Sequence, residues 1–176
     1  MQLPSSPLVG AALAALLLLS GHATLAQDPT ATARPAPKPA GAAPGKWAQI
    51  ERGRYLIQTS GCNDCHTPGY AMNNGKVDEK QWLLGDGLGW SGPWGTTYAP
   101  NLRLYMQGHS EASWLKTAKS FEARPPMPWF NLHAMKDSDL RAIYHYVRSL
   151  QPLGEPAPAY LPPGQKPQGP AVSFPG

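Results

Sequence analysis

Two thiols and an imidazole stand within five positions of one another in "GCNDCHTPG": Cys62, Cys65 and, immediately after, His66. The chain has no other cysteine. A C-x-x-C-H run is the attachment site of c-type haem, and the chemistry dictates its spacing. Each thiol adds to one vinyl group on the same edge of the porphyrin, and two intervening residues span that distance. The next residue then falls beneath the iron and supplies an imidazole nitrogen as the proximal ligand. Three other chemistries use the same residue types: a disulfide in an oxidising compartment, a redox-active C-x-x-C pair and a zinc site. No βαβ pattern surrounds the pair, and the downstream histidines His109, His133 and His145 are irregularly spaced, so one covalent haem c is the expected cofactor.

A second cluster of lone-pair donors lies in "ARPPMPWFNLHAM", which holds Met127, His133 and Met135. An electron-transfer haem needs a second axial ligand, and a methionine thioether favours the ferrous state. Pro125, Pro126 and Pro128 have fixed φ and no amide hydrogen, so Met127 is expected on a stiff, extended strap. It is the expected sixth ligand. Met135 lies beside a helix start, where methionine more often packs as core. His133 would make a bis-histidine haem, and Met72 and Met106 fall in loops without a clear placement.

These donors must be held by folded elements, and not all of the 176 residues can supply them. The apolar run Leu8–Leu19, followed by "SGHATLA", suits a secretory leader over 1–26 cut after Ala26. The run is too short to span a bilayer, which takes roughly 20 residues. It lacks a preceding Lys or Arg, and an uncleaved anchor is the alternative. Residues 27–45, with five prolines and six alanines, read as a linker, and 152–176, with eight prolines, as an irregular tail pinned at Tyr160, Leu161 and Phe174. The domain is therefore expected over 46–151, small enough to benefit from a large apolar ligand at its centre.

Within it, "KWAQIERGRYLIQTSGC" places Trp47, Ile50 and Ile57 on one helical face with Gly53, and Gly61 as a stop. "KDSDLRAIYHYVRSLQP" is an amphipathic helix with Leu140, Ile143, Tyr144, Val147 and Leu150 inward, Asp137 as its N-cap and His145 outward in solvent. A shorter helix begins at Ser110 and offers Trp114, Leu115, Ala118 and Phe121 to the interior. Between the haem motif and the third helix runs a Gly/Trp-rich stretch, "LLGDGLGWSGPWGTTYAPNL", expected as a long loop. The fold class expected is all-α.

From about Ala48 to Leu150 the sequence resembles the class I cytochromes c. In that family an N-terminal helix carrying a glycine crosses a C-terminal helix carrying an aromatic, which here implies Gly53 and Ile57 against Tyr146 or Tyr144. "TTYAPNL" is similar to the family's "GPNL" run, which implies that the Pro100 carbonyl accepts from His66 and fixes its tautomer; an ordinary loop proline is the alternative. "MP" at 127–128 matches the Met-Pro pair that precedes the family's last helix. "PPMPWFNLHAMKDSDLRAIYHYVRSL" further looks like single-haem relatives of the cytochrome subunits of periplasmic alcohol, aldehyde and gluconate dehydrogenases. Two departures stand: "LRL" at 102–104 where those subunits have "TPD", and one haem motif where they often carry several. Trp94, Tyr98, Asn101 and Arg103 are candidates for pocket wall and propionate partners, or else aromatic core and surface without a polar role.

The resemblance implies a periplasmic carrier of single electrons rather than an enzyme, with a dehydrogenase as donor and a cytochrome or oxidase as acceptor. The formal charge of +4 favours an acidic docking partner, with Lys116, Lys119, Arg124, Lys136 and Arg141 as a basic rim or as ordinary solvated charge. Nucleic acid is not an expected partner, and a membrane is one only if the leader is retained. The rival is a haem-based small-ligand sensor or peroxidase-like enzyme, which requires an open or labile sixth site and a polar group beside it, for which His133 is the nearby candidate.

Overall fold

A computed structural model describes residues 45–175; the expected leader and nearly all of the linker lie outside the described residues. Helix α1 (Lys46–Thr59) buries Ile50, Gly53, Leu56 and Ile57 against α6 (Asp137–Ser149), which buries Leu140, Ala142, Ile143, Tyr146 and Val147. Buried positions at i, i+3, i+6 and i+7 on each helix make the two facing stripes. At the crossing, a Cβ on Gly53 would lie 2.0 Å from the Ala142 carbonyl oxygen and 2.6 Å from Tyr146 Cβ. Only a residue without a side chain lets the backbones meet there. Tyr146 is thus the crossing aromatic, and Tyr144 sits at the margin, its hydroxyl donating to the His109 carbonyl at 3.2 Å.

Three details differ from expectation. Trp47 is 79% exposed, because the first turn of α1 extends past the α6 contact. The N-cap of α6 is Lys136, with Asp137 in the first helical position, where a carboxylate still meets the positive end of the helix dipole. His145 is half-buried rather than free in solvent, its Nε2 lying 2.9 Å from Glu111 of the neighbouring helix.

The remaining elements position the cavity. Helix α2 (Cys62–His66) follows Gly61 directly. Helix α3 (Leu102–Tyr105) is capped by Asn101, whose side chain accepts from Arg103 N and Leu104 N. Helix α4 (Glu111–Ser120) is capped by Ser110 and fastened to α6 by Trp114 Nε1, which donates to the Leu140 carbonyl at 2.8 Å. Helix α5 (Trp129–Ala134) follows the Met-Pro pair.

The Gly/Trp-rich stretch is more ordered than a loop. It forms a hairpin, β1 (Gly89–Gly92) and β2 (Gly95–Tyr98), paired antiparallel from Gly89 with Tyr98 to Gly92 with Gly95. The proline-rich tail is ordered too, as strand β3 (Ala171–Ser173) runs parallel beside β1. Along the other edge, Thr96 and Leu161 exchange backbone hydrogen bonds of 2.8 and 3.0 Å. The tail passes so close that a Cβ on Gly95 would lie 2.2 Å from the Leu161 carbonyl oxygen. The tail therefore clasps the hairpin on both edges. The helical fold expected from the sequence stands, with this small sheet added to it.

Candidate functional site

A cavity of about 680 Å³ opens between α2, the hairpin, the segment before α5 and the tail, within the roughly 300–1,000 Å³ typical of cofactor and ligand sites. Cys65 and His66 line one side, Met127 and Leu132 another. Cys62 packs against the apolar core at the start of α2 and is absent from the lining. The turn carrying these residues is held from behind. Thr67 donates to Asn63 Oδ1 at 2.7 Å and accepts from Leu83 N at 2.8 Å, and Gly85 N reaches the His66 carbonyl at 2.9 Å.

His66 Nδ1 lies 2.8 Å from the Pro100 carbonyl oxygen. A carbonyl can only accept, so Nδ1 carries the proton and Nε2 keeps its lone pair. Burial holds the imidazole below its ordinary pKa, opposed by the Pro100 bond, so the ring is neutral, the form that binds metal.

The two thiols are not joined in a disulfide. Burial pushes the Cys62 thiol up to about 11 and raises Cys65 as well, with the Asp64 and Asp86 carboxylates adding to the rise. A redox-active C-x-x-C pair is activated by a lowered pKa; this pair is shifted the opposite way. Among the described residues, no group of three or more His, Cys, Asp or Glu is arranged to hold a metal ion, which leaves the zinc chemistry without its further ligands.

The competing donors lie elsewhere. Met135 is packed against the core, outside the cavity lining. His133 Nε2 lies 3.0 Å from the Phe121 carbonyl, and its ring rests against Trp129 at 4.9 Å. Met106 is fully buried in the core and Met72 is 87% exposed. Of these donors, Met127 is the one brought to the cavity with Cys65 and His66. Its strap is tied to the hairpin by Thr97 Oγ1, which donates to the Pro125 carbonyl at 2.7 Å.

Of the four candidate wall residues, Tyr98 lines the cavity and the other three do not. Trp94 turns back over the hairpin, donating from Nε1 to the Trp90 carbonyl at 3.2 Å and stacking near Phe174. Asn101 spends its Oδ1 on the α3 cap and its Nδ2 on the Leu153 and Glu155 carbonyls, at 2.8 and 3.3 Å. Arg103 is buried, and its guanidinium donates to the carbonyls of Trp82, Lys80, Glu79 and Gln151. Burial lowers its pKa from the ordinary value. These two residues brace the loops and the tail instead of facing a propionate. Conversely, the walls contain Trp90, Tyr105, Arg124, Pro158 and Tyr160, which are not among the pocket residues expected from the sequence. A signal for Trp90 exists in "GWSGPWGTTY", two short runs around a Pro-Trp turn that spell a hairpin; nothing local marks Pro158.

Two thiols on one turn of helix, with one of them, a neutral imidazole tied to a carbonyl and a methionine thioether at the same cavity, are the parts of a c-type haem protein. The chain belongs to the cytochrome c family: the family's sequence model matches residues 50–151. It is 28% identical over 127 residues to a subunit of nicotinate dehydrogenase from Pseudomonas putida, covering 65% of this chain and 10% of that protein. It is also 28% identical over 163 residues to the fructose dehydrogenase cytochrome subunit of Gluconobacter japonicus, covering 86% of this chain and 30% of that subunit. The chain thus spans less than a third of either curated relative. No solved structure matches it. Family membership implies haem c with its iron, for which Cys62 and Cys65 of the C-x-x-C-H run are the matching thiols, and makes the chain an electron-transfer c-type cytochrome.

Proposed function

We propose that the protein is an exported cytochrome carrying one haem, passing single electrons from a dehydrogenase to a downstream cytochrome or oxidase in the periplasm. One observation carries the reading: Cys65, His66 and Met127 line a single cavity, with His66 oriented by Pro100. Cys62 and Cys65 would hold the haem covalently, and His66 Nε2 and Met127 Sδ would ligate its iron. When bound, the haem would supply reversible one-electron chemistry.

The protein's own part is to keep that change cheap. The Pro100 bond fixes the imidazole tautomer and orientation. The proline strap, tied by Thr97 to the hairpin, would hold the thioether at the cavity. Tyr105, Trp114 and Leu132 give the cavity apolar lining. The relatives named above are subunits of dehydrogenases, which supports a dehydrogenase as donor. The single C-x-x-C-H run supports a single haem, and the leader-like 1–26 supports export with the linker 27–45 ahead of the domain and 152–176 as its tail. Among the described residues no helix is long and apolar enough to cross a membrane. His133, the group that the sensor or peroxidase reading names, does not line the cavity, and its ring lies against the Phe121 carbonyl.

The test is a pair of variants in the haem-loaded protein. Met127→Ala is expected to lower the reduction potential and abolish the far-red sulfur-to-iron band of the ferric spectrum, with Met135→Ala keeping the band. The reverse result would transfer the ligand role to Met135. Ready uptake of carbon monoxide by the reduced wild type would favour the sensor reading instead.

A further inference from the structure

The stretch 122–128 joins the end of α4 to the start of α5 without helix or strand of its own. Pro126 and Met127, within it, line the cavity. Its prolines fix φ at three positions, but a stiff strap still has to be held against something. Two side-chain contacts hold it. Thr97 Oγ1 donates to the Pro125 carbonyl at 2.7 Å. The Arg124 guanidinium carbon lies 3.8 Å over the ring of Tyr160, a cation–π distance. The first tie comes from the hairpin and the second from the tail.

The two ties belong to one closed circuit. Thr96, beside Thr97, exchanges backbone hydrogen bonds of 2.8 and 3.0 Å with Leu161, beside Tyr160, and Arg124 is beside Pro125. Two adjacent residues in each of β2, the tail and the strap thus meet two in each of the others. The tail's corner is itself anchored, since Tyr160 Oη donates to the Trp94 carbonyl at 2.7 Å. Pro158 and Tyr160 also line the cavity, so the segment that grips the strap is part of the wall that Met127 shares.

We infer that Tyr160 is a positioning residue for Met127: acting through Arg124, the tail latches the strap and keeps the thioether at the cavity. Tyr160 lies beyond the family-matched residues 50–151, so the latch belongs to this chain's tail and not to the matched domain. The inference rests on the reading of Met127 as the iron's sixth ligand. With the latch released, the strap keeps its tie to Thr97 but loses the one to the tail. The place that Met127 fills is then open to an added ligand in proportion to the fraction of molecules whose strap has moved away.

The experiment titrates imidazole into the oxidised, haem-loaded protein and reads its apparent affinity by absorbance, with the far-red ferric band recorded before addition. Tyr160→Leu is expected to raise the affinity about twofold to fivefold, as loss of one partly exposed cation–π contact should. Arg124→Gln should raise it equally, and the double variant no further, because the two residues make one contact. Tyr160→Phe, which keeps the ring, should stay close to wild type. A chain ending at Pro156 keeps the Asn101 bonds to Leu153 and Glu155 but loses the latch and its wall, and should gain roughly tenfold or more. Wild-type affinity in both Tyr160→Leu and Arg124→Gln would overturn the latch. So would a double variant whose effects simply add, or Tyr160→Phe behaving like Tyr160→Leu. A wild type without the far-red band would remove the Met127 reading and this inference together. A wild type with the band beside variants of unchanged affinity would remove the latch alone.

Discussion

The α1–α6 crossing and the hairpin–tail wall both depend on a glycine that a carbonyl oxygen approaches, yet the two regions are built differently. At Gly53 the intruding oxygen belongs to Ala142, 2.0 Å from a would-be Cβ, and at Gly95 to Leu161, 2.2 Å away. The first contact lies between helices that carry most of the apolar core, including Ile57, Leu140, Tyr146 and Val147. The second lies between a short hairpin and a tail whose strand β3 is exposed along its whole length, held by backbone hydrogen bonds and a few rings. The comparison teaches that the crossing sets whether the domain folds, and the wall sets what one side of the cavity is made of.

The same substitution in the two regions should therefore have unlike consequences. Gly53→Ala forces the helices apart and is expected to cost about 3 kcal/mol or more, seen as a lower midpoint in denaturant for the whole domain. Next in size is Arg103→Met, which leaves several buried carbonyls without a donor and is expected to cost about 2–3 kcal/mol. Because Arg103 braces loops and does not line the cavity, this variant should keep the wild-type reduction potential; a marked shift would move Arg103 to the cofactor. Gly95→Ala combines the clash with a φ of 97° and is expected to cost about 1–2 kcal/mol. Its effect should be local, with limited proteolysis cutting the tail before the helices lose their circular dichroism. Smallest is Thr97→Val, which removes the bond to the Pro125 carbonyl for about 1 kcal/mol. It should weaken the far-red ferric band before it alters the unfolding midpoint.

How far each region is legible in the sequence follows from the range of the interactions that form it. The haem turn is legible because its chemistry is confined to five consecutive residues, and α6 because a buried stripe imposes a 3.6-residue period on the chain. Even there the stripe is broad: periodicity points Tyr144 and Leu150 inward, where Tyr146 and Ala142 are more deeply buried. Periodicity also turns Trp47 inward, since it cannot show where a partner helix ends. The prolines around Met127 mark the strap that brings it to the cavity. The wall is not, because its parts lie far apart in the chain: Trp90 from the hairpin, Arg124 from the strap and Tyr160 from the tail meet only after non-local pairing. Arg103 and Asn101 look like cofactor partners in the sequence for a related reason. A buried cation or amide signals that acceptors are near, and sequence cannot say whether those acceptors are propionates or the carbonyls of Trp82 and Leu153.

The most direct test of the central claim is the intact mass of the protein purified from a host competent for haem attachment. The account predicts a polypeptide heavier by one haem, with the haem retained under denaturing conditions and lost from the doubly substituted Cys62→Ala, Cys65→Ala chain. A mass equal to the bare polypeptide would contradict it.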